Sequence, residues 1–464
     1  MTTSFNPGNF LTKALRQATG RWVSVGLSGV VALAGLVFSS SASAVPSFAR
    51  QTGQSCAACH AGGQFPELTP FGRMFKLTGY TIGERGNPLA AMLVASATKT
   101  QNNSDGAGGS LSPMDSQAIL DFGSIFVAGK ATNNIGGFAQ FTYSNYDHQD
   151  AAGNWQGHFA TDNFDLRYAD RKGDGKNDWI YGLTLHNNPT VQDVWNSTPA
   201  WGYPYVSTTQ GAFGGVPAST MLEGALAQQV AGIGGYVYWN NTIYAELTSY
   251  QTAKGLWSFL SMGSKPGDAD HPLTHLNGSS LYWRLAYTKD WGEHNVMVGA
   301  FGMDAKTYPF DGSNNPDYTI GSTGYRDIGF DAQYQYLLAP HTFTAHMRTV
   351  QEKINDETGL LYGGPATMNS FKMKGSYVYR EKYGGGLAYT SVTGSKDATA
   401  YGGNFNLPDT EMWTPELFWT PIPNLRVGLQ YNYFTRYLGS STKYDGTRNA
   451  SDNNTTYLYL WTSF

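Results

Sequence analysis

Cysteine is nearly missing from this chain: 464 residues contain two, Cys56 and Cys59. A tetrahedral zinc site needs four ligands, usually with a second Cys/His pair, and none is present. A disulfide across so short a spacing would be strained, and the flanks show no βαβ context for a thioredoxin-type redox pair. Basic charge is also in short supply. Lys and Arg number 30 against 34 Asp and Glu, which argues against nucleic acid as a partner and leaves no basic patch for anionic lipid. Long amphipathic helices are absent, and so is any blade-length repeat with a constant signature, the mark of a propeller. The apolar run from Val23 to Phe38 is too short and too interrupted by glycine for a comfortable helical span.

That run has a different use. Lys13, Arg16 and Arg21 precede or flank it with no acidic residue, and Ala42-Ser43-Ala44 follows. A basic start, an apolar stretch and a small-residue cleavage site together predict a secretory signal over residues 1–44. No cysteine follows the cleavage site immediately, so a lipoprotein anchor is not expected. Removing the signal leaves the chain more acidic.

What the two cysteines do have is company. They lie in Cys56-Ala57-Ala58-Cys59-His60, the covalent attachment signal of a c-type haem. Each thiol can add across one vinyl group, and the His60 imidazole can bind the iron axially, leaving a sixth position to be filled. The expected cofactor is one covalent haem c. Its segment, residues 45–88, is small for a haem domain, so a surrounding protein wall is expected to complete the shelter. Thr69-Pro70 predicts the start of a short helix with Pro70 at its first position. Phe71, Met74 and Phe75 would share a face, which packs against the haem or, through Met74, supplies the distal ligand.

From residue 89 to 464 the chain changes character. Glycine is abundant (56 in all), aromatics reach 14% and charged residues only 14%. Segments of eight to twelve residues alternate, as in Tyr282-Trp283-Arg284-Leu285-Ala286-Tyr287, at the length and period of transmembrane β-strands. Sixteen are predicted, centred from Val94 and Gly123 to Gln430 and Leu460. Long connections, near residues 146–160 and 187–228 among others, alternate with short ones such as Asn240-Asn241 and Ala339-Pro340. The fold class is thus all-β: a sixteen-stranded, porin-like outer-membrane barrel, both ends periplasmic and long loops outside, with the haem segment plugging or abutting its lumen. The terminal Tyr457-Leu458-Tyr459-Leu460-Trp461-Thr462-Ser463-Phe464 alternates and ends on an aromatic, as expected of a last barrel strand.

The chain resembles the outer-membrane monohaem cytochrome–porin fusions associated with extracellular ferrous iron oxidation. The likeness is carried by Phe48-Ala49-Arg50-Gln51-Thr52-Gly53, by Cys56 to His60, and by Leu68-Thr69-Pro70-Phe71-Gly72-Arg73. It implies a haem in or beside the lumen that takes single electrons from an extracellular reductant such as Fe(II). A periplasmic carrier such as a soluble cytochrome would receive them. Cys56 and Cys59 would be the thioether anchors and His60 the proximal ligand. A transport porin with a structural or sensory haem is the alternative, and a haem enzyme acting on a small ligand such as peroxide a third.

Other candidates come from single residues. His186 and His346 are further distal-ligand candidates. Asp147, His148, Asp150, His158, Asp268, Asp270, His271 and His275 collect in the predicted outer loops. His271 and His275 have the spacing of a helical metal pair, although Pro272 interrupts it; a solvated loop is the plainer reading.

Overall fold

In a computed structural model of the chain, residues 46–63, 66–104, 114–150, 154–202 and 216–464 are described. The predicted export signal lies outside the described residues. From Leu89 onward the chain forms sixteen antiparallel strands, each paired with its sequence neighbours. The first, β1 (Leu89–Thr100), pairs with the last, β16 (Thr455–Ser463), from Met92↔Ser463 to Thr100↔Thr455 and closes the sheet. Closure leaves no unpaired edge, a condition that hydrocarbon imposes on any β-structure crossing it. All sixteen predicted strand centres fall within strands.

The strands face outward with their apolar side. In β8 (Ser280–Trp291), Leu281, Leu285 and Tyr287 are exposed while Tyr282 and Arg284 are buried. Leu183, Leu247, Phe330 and Leu417 repeat the pattern around the barrel. A water-soluble protein would invert it; apolar side chains outside and arginine inside fit a lipid-facing wall around a polar lumen. Exposed Trp179, Trp291, Tyr383 and Trp419 sit within a few residues of the short turns, where an interfacial girdle belongs. The protein is a transmembrane barrel of the bacterial outer membrane, with its short turns periplasmic and its longer connections outside.

Two strands run further than predicted. Residues 146–160 were expected to form a long loop. Instead β3 (Ile135–Gln149) and β4 (Trp155–Gly173) continue through most of them, pairing out to Gln149↔Trp155. An edge-to-face contact of Tyr146 with Trp155, centroids 5.8 Å apart, supports this projecting hairpin. Its polar composition hid it, because strands beyond the bilayer need no apolar face.

Among the described residues, three short α-helices precede the barrel: α1 (Pro46–Thr52), α2 (Cys56–Cys59) and α3 (Pro70–Leu77). Thr69 caps α3, its Oγ1 accepting from the Gly72 N–H at 3.2 Å, and Pro70 follows at the first position as predicted. The predicted apolar face of α3 does not hold together. Phe75 is buried, Met74 half-buried and Phe71 exposed, whereas Arg73 and Lys76 are buried. The reason is the surroundings: a polar lumen offers partners that a soluble core would lack. Arg73 donates to Gln335 Oε1 at 3.1 Å, and Lys76 Nζ donates to the carbonyls of Val191 (2.8 Å) and Asp193 (2.6 Å) and to Asn196 Oδ1 (2.9 Å).

Those acceptors belong to the connection after β5 (Asp178–His186), which folds into the barrel rather than away from it. Val191, Val194 and Trp195 are at most 1% exposed. Asp193 accepts from the Ser197 N–H at 2.8 Å and lies 3.3 Å from Arg284, which also pairs with Asp331 at 2.9 Å. Plug and connection both dock against the inner wall, anchored by buried pairs whose disruption costs about 3–5 kcal/mol each.

Candidate functional site

The site is built where the plug meets β1, β2 (Ala118–Lys130), β3, β4 and β16. A single helical turn, α2, carries Cys56 and Cys59, and His60 leaves it in extended conformation. A short antiparallel bridge then pairs His60 with Leu68. It is reinforced by Ala61 N–H to Glu67 O at 2.8 Å and Thr69 N–H to Cys59 O at 2.9 Å. Gly72 lets α3 lie against this turn: a Cβ there would stand 2.2 Å from the Cys59 carbonyl oxygen. No side chain other than hydrogen fits that approach.

Cys56, Cys59 and His60 all line one cavity of about 350 Å³, within the size range of small-molecule and cofactor sites. Aromatic rings shape it. Phe48 meets Phe75 edge-on at 5.0 Å and stacks on Tyr80 at 5.4 Å, and Tyr80 meets Phe138 of the wall at 6.0 Å. Phe122, Phe126 and Trp461 complete the apolar wall. Gln140, Asn163 and Asn196 give one side amide groups suited to carboxylates.

The electrostatics suit a neutral imidazole. Burial pushes His60 down to about 4, against a smaller opposing pull from Glu67, so the ring is uncharged at neutral pH with a lone pair to donate. Burial, with Cys56 nearby, pushes the Cys59 thiol up to about 11. The two sulfurs are not joined to one another. Two thiols three positions apart, an adjoining neutral imidazole and a flat aromatic enclosure form a donor set that fits a covalently attached haem.

Met74 is not part of this arrangement. It packs against a buried cluster that includes Leu77, Ile180 and Trp195, and it does not line the cavity. Met92 does line it, from β1. A signal for Met92 existed: Ala90, Val94, Ser96 and Thr98 at alternate positions are all buried, so the period of two turns Met92 inward as well. His186 Nε2 lies 2.6 Å from the Tyr250 hydroxyl, and His346 Nε2 lies 3.0 Å from Gln333 Nε2. Neither histidine lines the cavity.

Among the outer-loop candidates, the structure joins residues far apart in sequence. Asp147 and His148 on β3 meet His271, whose ring stacks on His158 with centroids 3.5 Å apart. His275 goes elsewhere, 3.1 Å from the Tyr318 hydroxyl. The predicted His271–His275 pair therefore does not form, and the segment carries no helix.

No protein-family model matches the chain, and no curated protein does. Among solved structures it is similar to the outer membrane channel DcaP of Acinetobacter baumannii, at 12% identity and a TM-score of 0.46, covering 81% of this chain and 96% of that one. The anion-selective porin from Comamonas acidovorans is similar at 12% identity and a TM-score of 0.43, covering 81% and 98%. OmpT, an outer membrane protein of Vibrio cholerae, is similar at 11% identity and a TM-score of 0.40, covering 81% and 96%.

Proposed function

We propose that this outer-membrane barrel is a c-type cytochrome. It would move single electrons from an extracellular donor, best fitted by Fe(II), to a periplasmic carrier such as a soluble cytochrome. One observation carries the reading: the chain's two cysteines and the histidine beside them line an aromatic cavity inside the barrel. Cys56 and Cys59 would hold the haem by thioether bonds and His60 would be its proximal ligand. Met92, rather than Met74, would be the distal one. When bound, the haem supplies a centre that accepts and releases one electron, part-way across a layer too thick for tunnelling.

The residues of the chain do the rest. Phe48, Phe75 and Tyr80 line the cavity and would keep water from the group held there, and burial of that kind would help set its potential. The Lys76 and Arg73 contacts hold the plug at a fixed place in the wall, so donor and acceptor approach from opposite ends. No proton need move. The purified oxidised protein, given Fe(II) without oxygen, should develop a reduced c-type spectrum; a protein reducible by dithionite but never by Fe(II) removes iron from the proposal.

A second reading is passive transport, with the plug a structural fitting. It is favoured by strand number, since barrels of this size commonly leave an aqueous channel. Planar-bilayer recording separates the two: a large, steady conductance favours transport, and a closed lumen favours the cytochrome.

A further inference from the structure

A second site stands apart from the cavity, at the outer mouth of the barrel. The donor atoms of Asp147, His148 and His271 all lie within 4.8 Å of one another. We propose that these three residues bind one divalent transition-metal cation. The inference does not rest on the cytochrome reading, because none of the three touches the haem cavity.

The arrangement is built. Neighbours on a strand ordinarily point to opposite faces, but a register shift between Ser144 and His148 breaks the alternation. Asp147 Oδ2 and His148 Nδ1 thereby come within 3.0 Å. The connection between β7 (Ile243–Thr252) and β8 brings the third residue, and it is docked on β4 rather than loose. Thr161 donates from its N–H to the Met262 carbonyl (2.9 Å) and from Oγ1 to the Phe259 carbonyl (2.8 Å). The loop then folds on itself, with the Lys265 N–H donating to the His271 carbonyl at 3.1 Å and the His271 N–H to Asp268 Oδ1 at 3.1 Å. His158 stacks on the His271 ring and fixes its plane.

One detail favours a shared ion over a plain ion pair. His271 Nε2 stands 2.8 Å from Asp147 Oδ2, yet it makes no hydrogen bond with any described residue. His148 Nδ1 already hydrogen-bonds Asp147 Oδ2 at 3.0 Å, and a second imidazole nitrogen this close to the same oxygen, with no hydrogen bond of its own, is at a separation that a shared cation would accommodate. Asp270, 3.5 Å from His148 Nε2, adds negative charge beside them.

Two imidazoles and one carboxylate with open positions select borderline cations, among them Fe(II), Co(II), Ni(II) and Zn(II). Magnesium and calcium prefer all-oxygen shells and are disfavoured. The site would concentrate such a cation on the side of the barrel that meets the environment.

The test uses the full-length protein in detergent with Co(II) as probe. Equilibrium dialysis should find a Co(II) ion per chain that is lost in His271→Ala and Asp147→Asn, affinity falling about 100-fold or more, beyond the usual loss of an outer-shell partner. His341→Ala, beside a periplasmic turn, should bind as the unchanged protein does. Asp147→Asn keeps the side-chain shape, and the gel shift of the unheated barrel checks folding in each variant. Co K-edge absorption of the bound ion should show imidazole scattering. Equal Co(II) binding by all variants, binding without imidazole scattering, or no binding by the unchanged protein overturns the proposal.

Discussion

Glu67 of the plug and Lys374 of the barrel wall form an ion pair, Oε1 to Nζ at 3.0 Å, with both side chains largely buried. The two are joined across most of the sequence, so this contact tests whether the plug is integral to the barrel. Burial pushes the Glu67 carboxyl up, but the charges of Lys374 and His346 outweigh it and hold the group below the ordinary carboxylate range. A depressed folded-state pKa contributes stability that is complete above the unfolded value and lost as pH falls through the folded one. Plug docking should therefore be constant from neutral pH down to the ordinary glutamate range. Limited proteolysis of the plug should rise only under stronger acid. Glu67→Gln should weaken docking by about 3 kcal/mol by stranding the lysine; an unaltered proteolysis profile would show that the pair does not hold the plug.

Replacing Met92 and Met74 in turn tests which of the two would serve as the distal ligand. Met92→Ala should remove the low-spin signal from the oxidised protein's paramagnetic resonance spectrum, while Met74→Ala should leave it in place. Met74→Ala should instead lower thermal stability by roughly 2–3 kcal/mol, as truncation of a partly buried methionine does. The reverse pattern of spectra would restore Met74 as the ligand.

Gly72 should tolerate no side chain. In Gly72→Ala the new Cβ would collide with the Cys59 carbonyl, forcing α3 off the motif at a cost of about 1–3 kcal/mol. The expected outcome is a folded barrel that retains less haem per chain, measured by the pyridine haemochrome assay. Full haem content would mean that the plug accommodates the methyl group by moving.

The barrel was legible because alternation is local. A strand announces itself within ten residues, and Leu281 to Tyr287 show the period directly. The projecting β3–β4 hairpin was not, because His148 and Trp155 lie beyond the lipid where no hydrophobic period is required. The Cys56-to-His60 spacing is visible in the sequence by itself. Its surroundings are not: no local pattern announces that Arg73 and Lys76 are buried, because their acceptors at Gln335 and Val191 are distant in sequence. Met92 lies on a wall strand, whose alternation marks which side chains face inward but not which of them could bind a metal. His271 and Asp147 are brought together by a loop docking on a strand, a relation that no local pattern encodes.

Double replacement of Cys56 and Cys59 by alanine tests attachment. Both thiols are expected to anchor one group, so the unchanged chain should keep its colour and peroxidase stain on a denaturing gel. The double variant should lose both while still migrating as a folded barrel when unheated. Colour that persists in the variant would assign the pigment to another site.

Electron passage across a sealed membrane tests the central claim most directly. Vesicles carrying the protein, loaded with oxidised soluble cytochrome c, receive Fe(II) outside under anaerobic conditions. The enclosed cytochrome should become reduced, and vesicles bearing the Cys56→Ala, Cys59→Ala double variant should leave it oxidised. An enclosed cytochrome that stays oxidised in both, or is reduced equally in both, would contradict the account.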